Sequence, residues 1–189
     1  MTVLPDFTED GLLPPGDYIL TIEELKQSML VQGPKGKRRP RGWNVGWRMQ
    51  LVENLGILVR QLRAVGITEI FADGSFAENK AIPNDLDGYF VCDERRYLSG
   101  ALQRDLNLID PHRIWTWDWE SRRPFRRYQK VQLAMWHRYR VELYPHYGQS
   151  SGIRDEFGYP LEFPSAFRKS RLLGKPRGII KIGNDDDSN

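Results

Sequence analysis

The sequence predicts an α+β domain: a small mixed sheet backed by helices on one face. Three observations predict it. Residues 45–65 carry apolar side chains at helical spacing. Two short runs rich in strand formers, 67–72 and 85–92, bracket a Gly-Ser pair. A third run, 138–144, alternates at period two. The 189 residues are expected to form one domain, with the core at about 45–145 and both ends wrapped around it.

Taken in order, residues 1–20 read as irregular, with Pro5, Pro14, Pro15 and Gly16. Thr21 to Glu24 reads T-I-E-E, a capping box that starts a short helix reaching about Leu30. Gln32 to Asn44 is a long loop by composition, rich in Gly, Pro, Lys and Arg. In the 45–65 helix Leu51, Leu55, Leu58, Leu62 and Val65 recur at threes and fours, and Gly66 is its stop. That stripe reads as core, covering the back of the sheet. Residues 93–106 are expected to be helical. Ile114 to Glu120 reads I-W-T-W-D-W-E, a strand pattern with Trp115, Trp117 and Trp119 on one face. Packing is the favoured role for these rings, over base stacking.

Residues 124–137 are expected to form a helix with Phe125, Tyr128, Val131 and Met135 as its buried line. In the strand at 138–144, Tyr139, Val141 and Leu143 face one way and Arg138, Arg140, Glu142 and Tyr144 the other, with Pro145 ending it. Residues 178–182 form a short β-like run, and 184–189 are expected to be disordered.

Composition excludes several classes. No apolar run is long enough to span a membrane. The N-terminus lacks a signal pattern, with Asp6, Glu9 and Asp10 against one. The single cysteine, Cys92, rules out an internal disulfide and reads as a small buried hydrophobe. By elimination the expected location is cytoplasmic. His112, His137 and His146 have no metal-ligand spacing, and no P-loop motif is present. Net charge is +3, but the basic residues cluster at Lys35–Arg41 and Arg122–Lys130. Such clusters are either solvated surface or attractors of phosphate, on a nucleotide or on RNA.

The chemistry centres on Ile70 to Asp93, I-F-A-D-G-S-F-A-E-N-K-A-I-P-N-D-L-D-G-Y-F-V-C-D. Gly74-Ser75 is a small pair that lets backbone approach a ligand closely. In a strand, Asp85, Asp87 and Tyr89 point one way, and Leu86, Gly88, Phe90 and Cys92 the other. Two carboxylates on one sheet face, with an apolar opposite face, make a site for a hard cation; the bland alternative is two solvated acids at a strand edge.

A Gly-Ser after a strand and an Asp-x-Asp in the next resembles the signature of the DNA polymerase beta-type nucleotidyltransferase superfamily. L-P-P-G at 13–16, D-G-S-F at 73–76, P-N-D-L-D at 83–87 and K-P-R-G-I-I at 175–180 are similar to a bacterial and phage family of small nucleotidyltransferase-like proteins, some of them toxin-like. The resemblance implies a nucleotidyltransferase-like fold and transfer of a nucleoside monophosphate from a triphosphate to an acceptor, with Mg2+ or Mn2+. It implies Asp85 and Asp87 as metal-bridging catalytic acids and Glu142 as a third carboxylate, though glutamate departs from the usual aspartate there. If not a ligand, Glu142 is a surface acid paired with Arg138 or Arg140. Gly74 and Ser75 would hold phosphates through N–H groups and hydroxyl. Lys80 would reach phosphate or be a plain loop lysine, and Arg138 and Arg140 would offset triphosphate charge. The implied acceptors are tRNA, another RNA or a protein, and the implied partner is a cognate antitoxin or toxin. A catalytically silent antitoxin or adaptor module, and a nuclease built on clustered acids, are the competing expectations.

Overall fold

The computed structural model describes residues 4–36, 39–126 and 130–184. Lys37, Arg38 and Arg127 of the basic clusters, Tyr128 of the expected buried line, and 185–189 of the expected tail lie outside the described residues.

Five strands form one mixed sheet: β1 (Asp17–Leu20), β2 (Ile70–Asp73), β3 (Leu86–Val91), β4 (Val141–His146) and β7 (Ile179–Ile182). Their order is β1-β7-β2-β3-β4. The β1–β7 and β3–β4 pairs are parallel, and β7–β2 and β2–β3 antiparallel. The architecture is α+β. One sheet member differs from expectation: β1 lies in the stretch read as irregular, whereas the β-like run expected at 178–182 forms β7. A separate hairpin joins β5 (Ser150–Arg154) to β6 (Pro160–Glu162).

Helices cover one face. They are α1 (Ile22–Gln27), α2 (Met29–Gln32), α3 (Val45–Ala64), α4 (Glu94–Leu98), α5 (Ala101–Ile109) and α6 (Ala134–Tyr139). The capping box forms as expected: Glu24 N–H donates to Thr21 Oγ1 and Thr21 N–H to Glu24 Oε2. Leu51, Leu55, Leu58 and Leu62 of α3 are buried against Ile70, Ala72, Leu86, Phe90, Val141, Leu143 and Ile180 of the sheet. Helices α4, α5 and α6 lie on the β3-to-β4 crossover, the span a parallel pair requires. Cys92 packs half-buried beside this core, and burial raises its thiol to about 11. Among the described residues no helix is long and apolar enough to cross a membrane.

Three expected elements are corrected. Residues 114–118 are not a strand. Instead Trp117 Nε1 donates to the Leu143 carbonyl on edge strand β4, so an indole occupies a place that a partner strand would take. Trp115 is buried and donates to Gln61 Oε1, while Trp119 is exposed; the rings do not share one face's environment. The described residues of 124–133 are not helical, and Pro124 to Phe125 form no regular element. The run at 138–144 is half helix: Arg138 and Tyr139 finish α6, and Arg140 caps it in the left-handed region (φ 55). Arg140 N–H still bonds the Trp136 carbonyl, so the chain is closing a helical turn where alternation suggested a strand. Pro145 lies within β4, which is an edge strand and tolerates it.

One buried cation ties α3 to the loops around the site. Arg48 is 0% exposed. Its guanidinium donates to the carbonyls of Leu30, Phe76, Glu78 and Lys80, and stacks 3.8 Å from the Trp43 ring. Burial lowers its pKa to about 9. Arg48→Met keeps the bulk of the stem and strands those carbonyls. It is expected to cost about 4 kcal/mol or more in urea unfolding, since each buried acceptor left unpaired costs about 1–3 kcal/mol. A loss under about 1 kcal/mol would contradict this anchoring.

Candidate functional site: a row of carboxylates at the sheet end

The helix-free face of the sheet is divided. Phe71, Tyr89 and Ile179 form its lower half and are covered by Phe163, Ala166 and Phe167. Above them sit acids. Asp73 of β2 pairs in register with Asp87 of β3, and Asp87 with Glu142 of β4. Directly paired residues project to the same face. Asp73, Asp87 and Glu142 therefore stand abreast on three adjacent strands, with Asp85 just before β3 at the same end.

Gly74 and Ser75 open a short 3-10 turn, Gly74–Ala77, directly after β2. Gly74 has φ +75, and a Cβ there would lie 2.3 Å from Asp87 Oδ2. The Gly-Ser bend thus sits against the Asp87 carboxylate, as the sequence reading required. Ser75 is half-buried at the same turn.

Each acid has a distinct environment. Asp85 Oδ2 accepts from the Trp136 indole N–H at 2.8 Å. Glu142 is only 5% exposed; Oε1 accepts from Leu133 N–H and Oε2 from the Tyr144 hydroxyl. Burial and the Glu142 charge push the Tyr144 hydroxyl upward. Asp73 is 0% exposed, bonds Arg177 at 2.7 Å and, among the described residues, leaves Oδ1 with no hydrogen-bond partner. Burial pushes it up to about 7 despite that arginine. Asp87 is half-buried and, among the described residues, accepts no hydrogen bond and makes no ion pair. Burial, then the charges of Asp85 and Glu142, hold its carboxyl well above the usual range, partly offset by Arg171 and Arg177.

The expected cations fall elsewhere. Arg138 and Arg140 do not share a strand face with Glu142. They line a groove on the helix side with Trp47, Asn84 and Phe125. Glu142 pairs with neither arginine; Leu133 and Tyr144 hold it. Lys80 is exposed and makes no ion pair with the row among the described residues; its backbone carbonyl is held by Arg48. Sequence reasoning missed Asp73, Arg171 and Arg177. Arg177 is 6% exposed and binds Asp73, Glu78 and the Gly74 carbonyl. The signal for Asp73 was parity: it follows Phe71 by two in a strand. Arg177 lies in the K-P-R-G-I-I motif, but nothing in that motif points to a partner 104 positions away.

The donor set suits a hard divalent cation. The acids offer oxygen, and Asp87, crowded by the charges of Asp85 and Glu142 and only partly offset by Arg171 and Arg177, favours a positive ligand. Among the described residues no three His, Cys, Asp or Glu side chains converge into a ready cage. Magnesium commonly takes one or two carboxylates and completes its shell with water and substrate phosphate, and Asp85 with Asp87 offers that pair.

The fold and site define an α+β protein whose sheet face is acidic at the strand ends and aromatic below. The chain belongs to a family of unknown function (DUF6932), whose model matches residues 5–183. No curated protein and no solved structure gives a match.

Two outcomes follow. Asp73 and Asp87 hold their protons to higher pH in the folded state than in the unfolded chain. Their contribution to stability is therefore present in mild acid and lost as pH rises from about 4 through about 7. Without metal, Tm should fall between pH 5 and 8, and magnesium should restore part of it at pH 8. Asp87→Asn should flatten the fall and raise Tm at pH 8 by about 2–12 °C, from about 1–3 kcal/mol of relieved desolvation; an unchanged slope contradicts the assignment. Gly74→Ala should destabilise by about 1–3 kcal/mol, because a side chain there meets Asp87 in a left-handed backbone, and should abolish the magnesium effect on Tm. Full retention of that effect would separate the bend from the acids.

Proposed function

We propose that this protein is a metal-dependent nucleotidyltransferase, moving a nucleoside monophosphate from a triphosphate to an acceptor hydroxyl. The observation that carries the reading is the Gly74 bend packed against Asp87, beside Asp85 and in register with Glu142. Phosphoryl and nucleotidyl transfers need positioning and charge neutralisation more than covalent help from the protein.

The chain's groups fit that task. N–H groups of the 74–77 turn and the Ser75 hydroxyl point the triphosphate tail toward the row. Arg171, exposed and close enough to offset Asp87, offers a guanidinium to its oxygens. Asp85 and Asp87 hold the cation, with Trp136 fixing one Asp85 oxygen. Mg2+ or Mn2+, when bound, supplies Lewis-acid neutralisation of the triphosphate and activation of the attacking oxygen. The acceptor oxygen bonds the alpha phosphorus, the bond to the bridging oxygen of pyrophosphate breaks, and the hydroxyl proton passes to a carboxylate of the row. Pyrophosphate leaves with the electron pair. RNA, such as tRNA, or a protein is the acceptor class, and a toxin paired with an antitoxin in the cytoplasm is the biological setting that fits such an activity.

A second reading, a silent binding or regulatory module, draws on Glu142. Both its oxygens already serve Leu133 and Tyr144, a supporting role rather than an open ligand.

Incubation with alpha-labelled triphosphates, magnesium and total RNA or cell protein separates the two. Transfer is expected in the parent and is expected to drop by about 10³-fold or more in Asp87→Ala, on the scale of losing a main electrostatic element. No transfer to any acceptor, together with no triphosphate binding, supports the silent module.

A further inference from the structure

The groove that holds Arg138 and Arg140 is not the triphosphate site, and it has its own chemistry. Its volume is about 700 Å³, the size of a small-molecule pocket. Trp47, Asn84, Phe125, Arg126, Arg138 and Arg140 line it. The arginines sit beside rings: Arg126 is 5.1 Å from the Phe125 centroid, Arg140 4.1 Å from Phe125 and 3.8 Å from Trp136, and Arg138 5.6 Å from Tyr139. Among the described residues no salt bridge neutralises Arg126 or Arg138.

The groove opens onto the acid row at one point. Asn84 precedes Asp85, and Trp136, under Arg140, donates to Asp85 Oδ2. At the other end, Asn44 N–H bonds the Ala81 carbonyl and Trp47 Nε1 bonds the Pro83 carbonyl. The loop carrying exposed Arg39 and Arg41 therefore meets the groove rim there, and exposed Arg123 precedes the opposite wall.

We infer that this groove is the acceptor subsite, and that it takes the end of a single-stranded polynucleotide. Arginines over aromatic rings are a surface on which bases stack while guanidiniums meet the backbone. Cations at both rims extend the path for phosphates beyond the pocket. A free mononucleotide would use one wall and leave the rims idle. The inference rests on the nucleotidyltransferase reading for the word acceptor; strand binding in the groove stands apart from it.

Fluorescence anisotropy of a labelled 12-nucleotide mixed-sequence RNA tests it, using Asp87→Ala protein without triphosphate so that no turnover intervenes. Binding is expected, with log Kd rising with log salt at a slope of about 2, as for about three phosphates neutralised on a single strand. Arg126→Glu with Arg138→Glu should weaken it by about tenfold or more and flatten the salt slope. Arg104→Glu on α5 should leave it unchanged, and Tm should show all variants folded. Equal affinity in the double variant, no dependence on salt, or loss of ATP binding with RNA binding intact would each overturn the assignment. Strand binding that the double variant loses, in a protein that transfers no nucleotide, keeps the groove and removes the enzyme reading. Transfer in the parent without strand binding does the reverse.

Discussion

Three carboxylates held abreast by strand register are the constraint on which the rest of this structure depends. Asp73, Asp87 and Glu142 cannot choose other neighbours, because β2, β3 and β4 are paired at those residues. Buried like charges repel, and burial makes each ionised form costly. The fold answers part of this cost at both ends. Arg177 closes on Asp73 and Glu78, and Leu133 N–H and Tyr144 satisfy Glu142. Asp87, in the middle, has no hydrogen bond or ion pair of its own among the described residues. A sequence folding only for stability would place an apolar or neutral residue there.

The supports around the row are built from distant parts of the chain. Gly88 lets β3 approach β2 so closely that a Cβ would meet the Phe71 carbonyl at 2.1 Å. Arg48, reaching from α3, holds the loop from Phe76 to Lys80 by its carbonyls, and so fixes the exit of the Gly-Ser turn. Arg177 enters just before β7 and binds the Gly74 carbonyl. The bend is thus clamped from two sides by arginines. The short β2-to-β3 connection brings it to Asp87, and the assembled sheet holds it there.

The parts legible in the sequence were those with local causes. The α3 stripe, the Thr21–Glu24 box, the 67–73 and 85–92 strands and the closeness of Gly74 to Asp87 each follow from periodicity, capping or short-range connection. The parts that were not legible depend on tertiary partners. β1 is four residues long and becomes a strand only by pairing with β7, more than 150 positions later. Trp115 and Trp117 alternate like a strand but are fixed by Gln61 and by the Leu143 carbonyl. Arg138 and Arg140 alternate with Glu142 in sequence, yet a helix end lies between them and the strand, which sends them to the other side of Asp85. Asp73 and Arg177 show the same limit: each lies in a quoted motif, D-G-S-F and K-P-R-G-I-I, but neither motif shows that the two pair across 104 positions.

The central claim is that Asp85, Asp87 and the Gly74–Ser75 bend share one cation-bound triphosphate. A crystal grown with Mn2+ and a non-hydrolysable triphosphate, with the metal located by anomalous scattering, tests it most directly. The account predicts manganese bonded to carboxylate oxygens of Asp85 and Asp87, with the beta and gamma phosphates against the N–H groups of the 74–77 turn. Nucleotide and metal bound away from that bend, with both aspartates unligated, would contradict it.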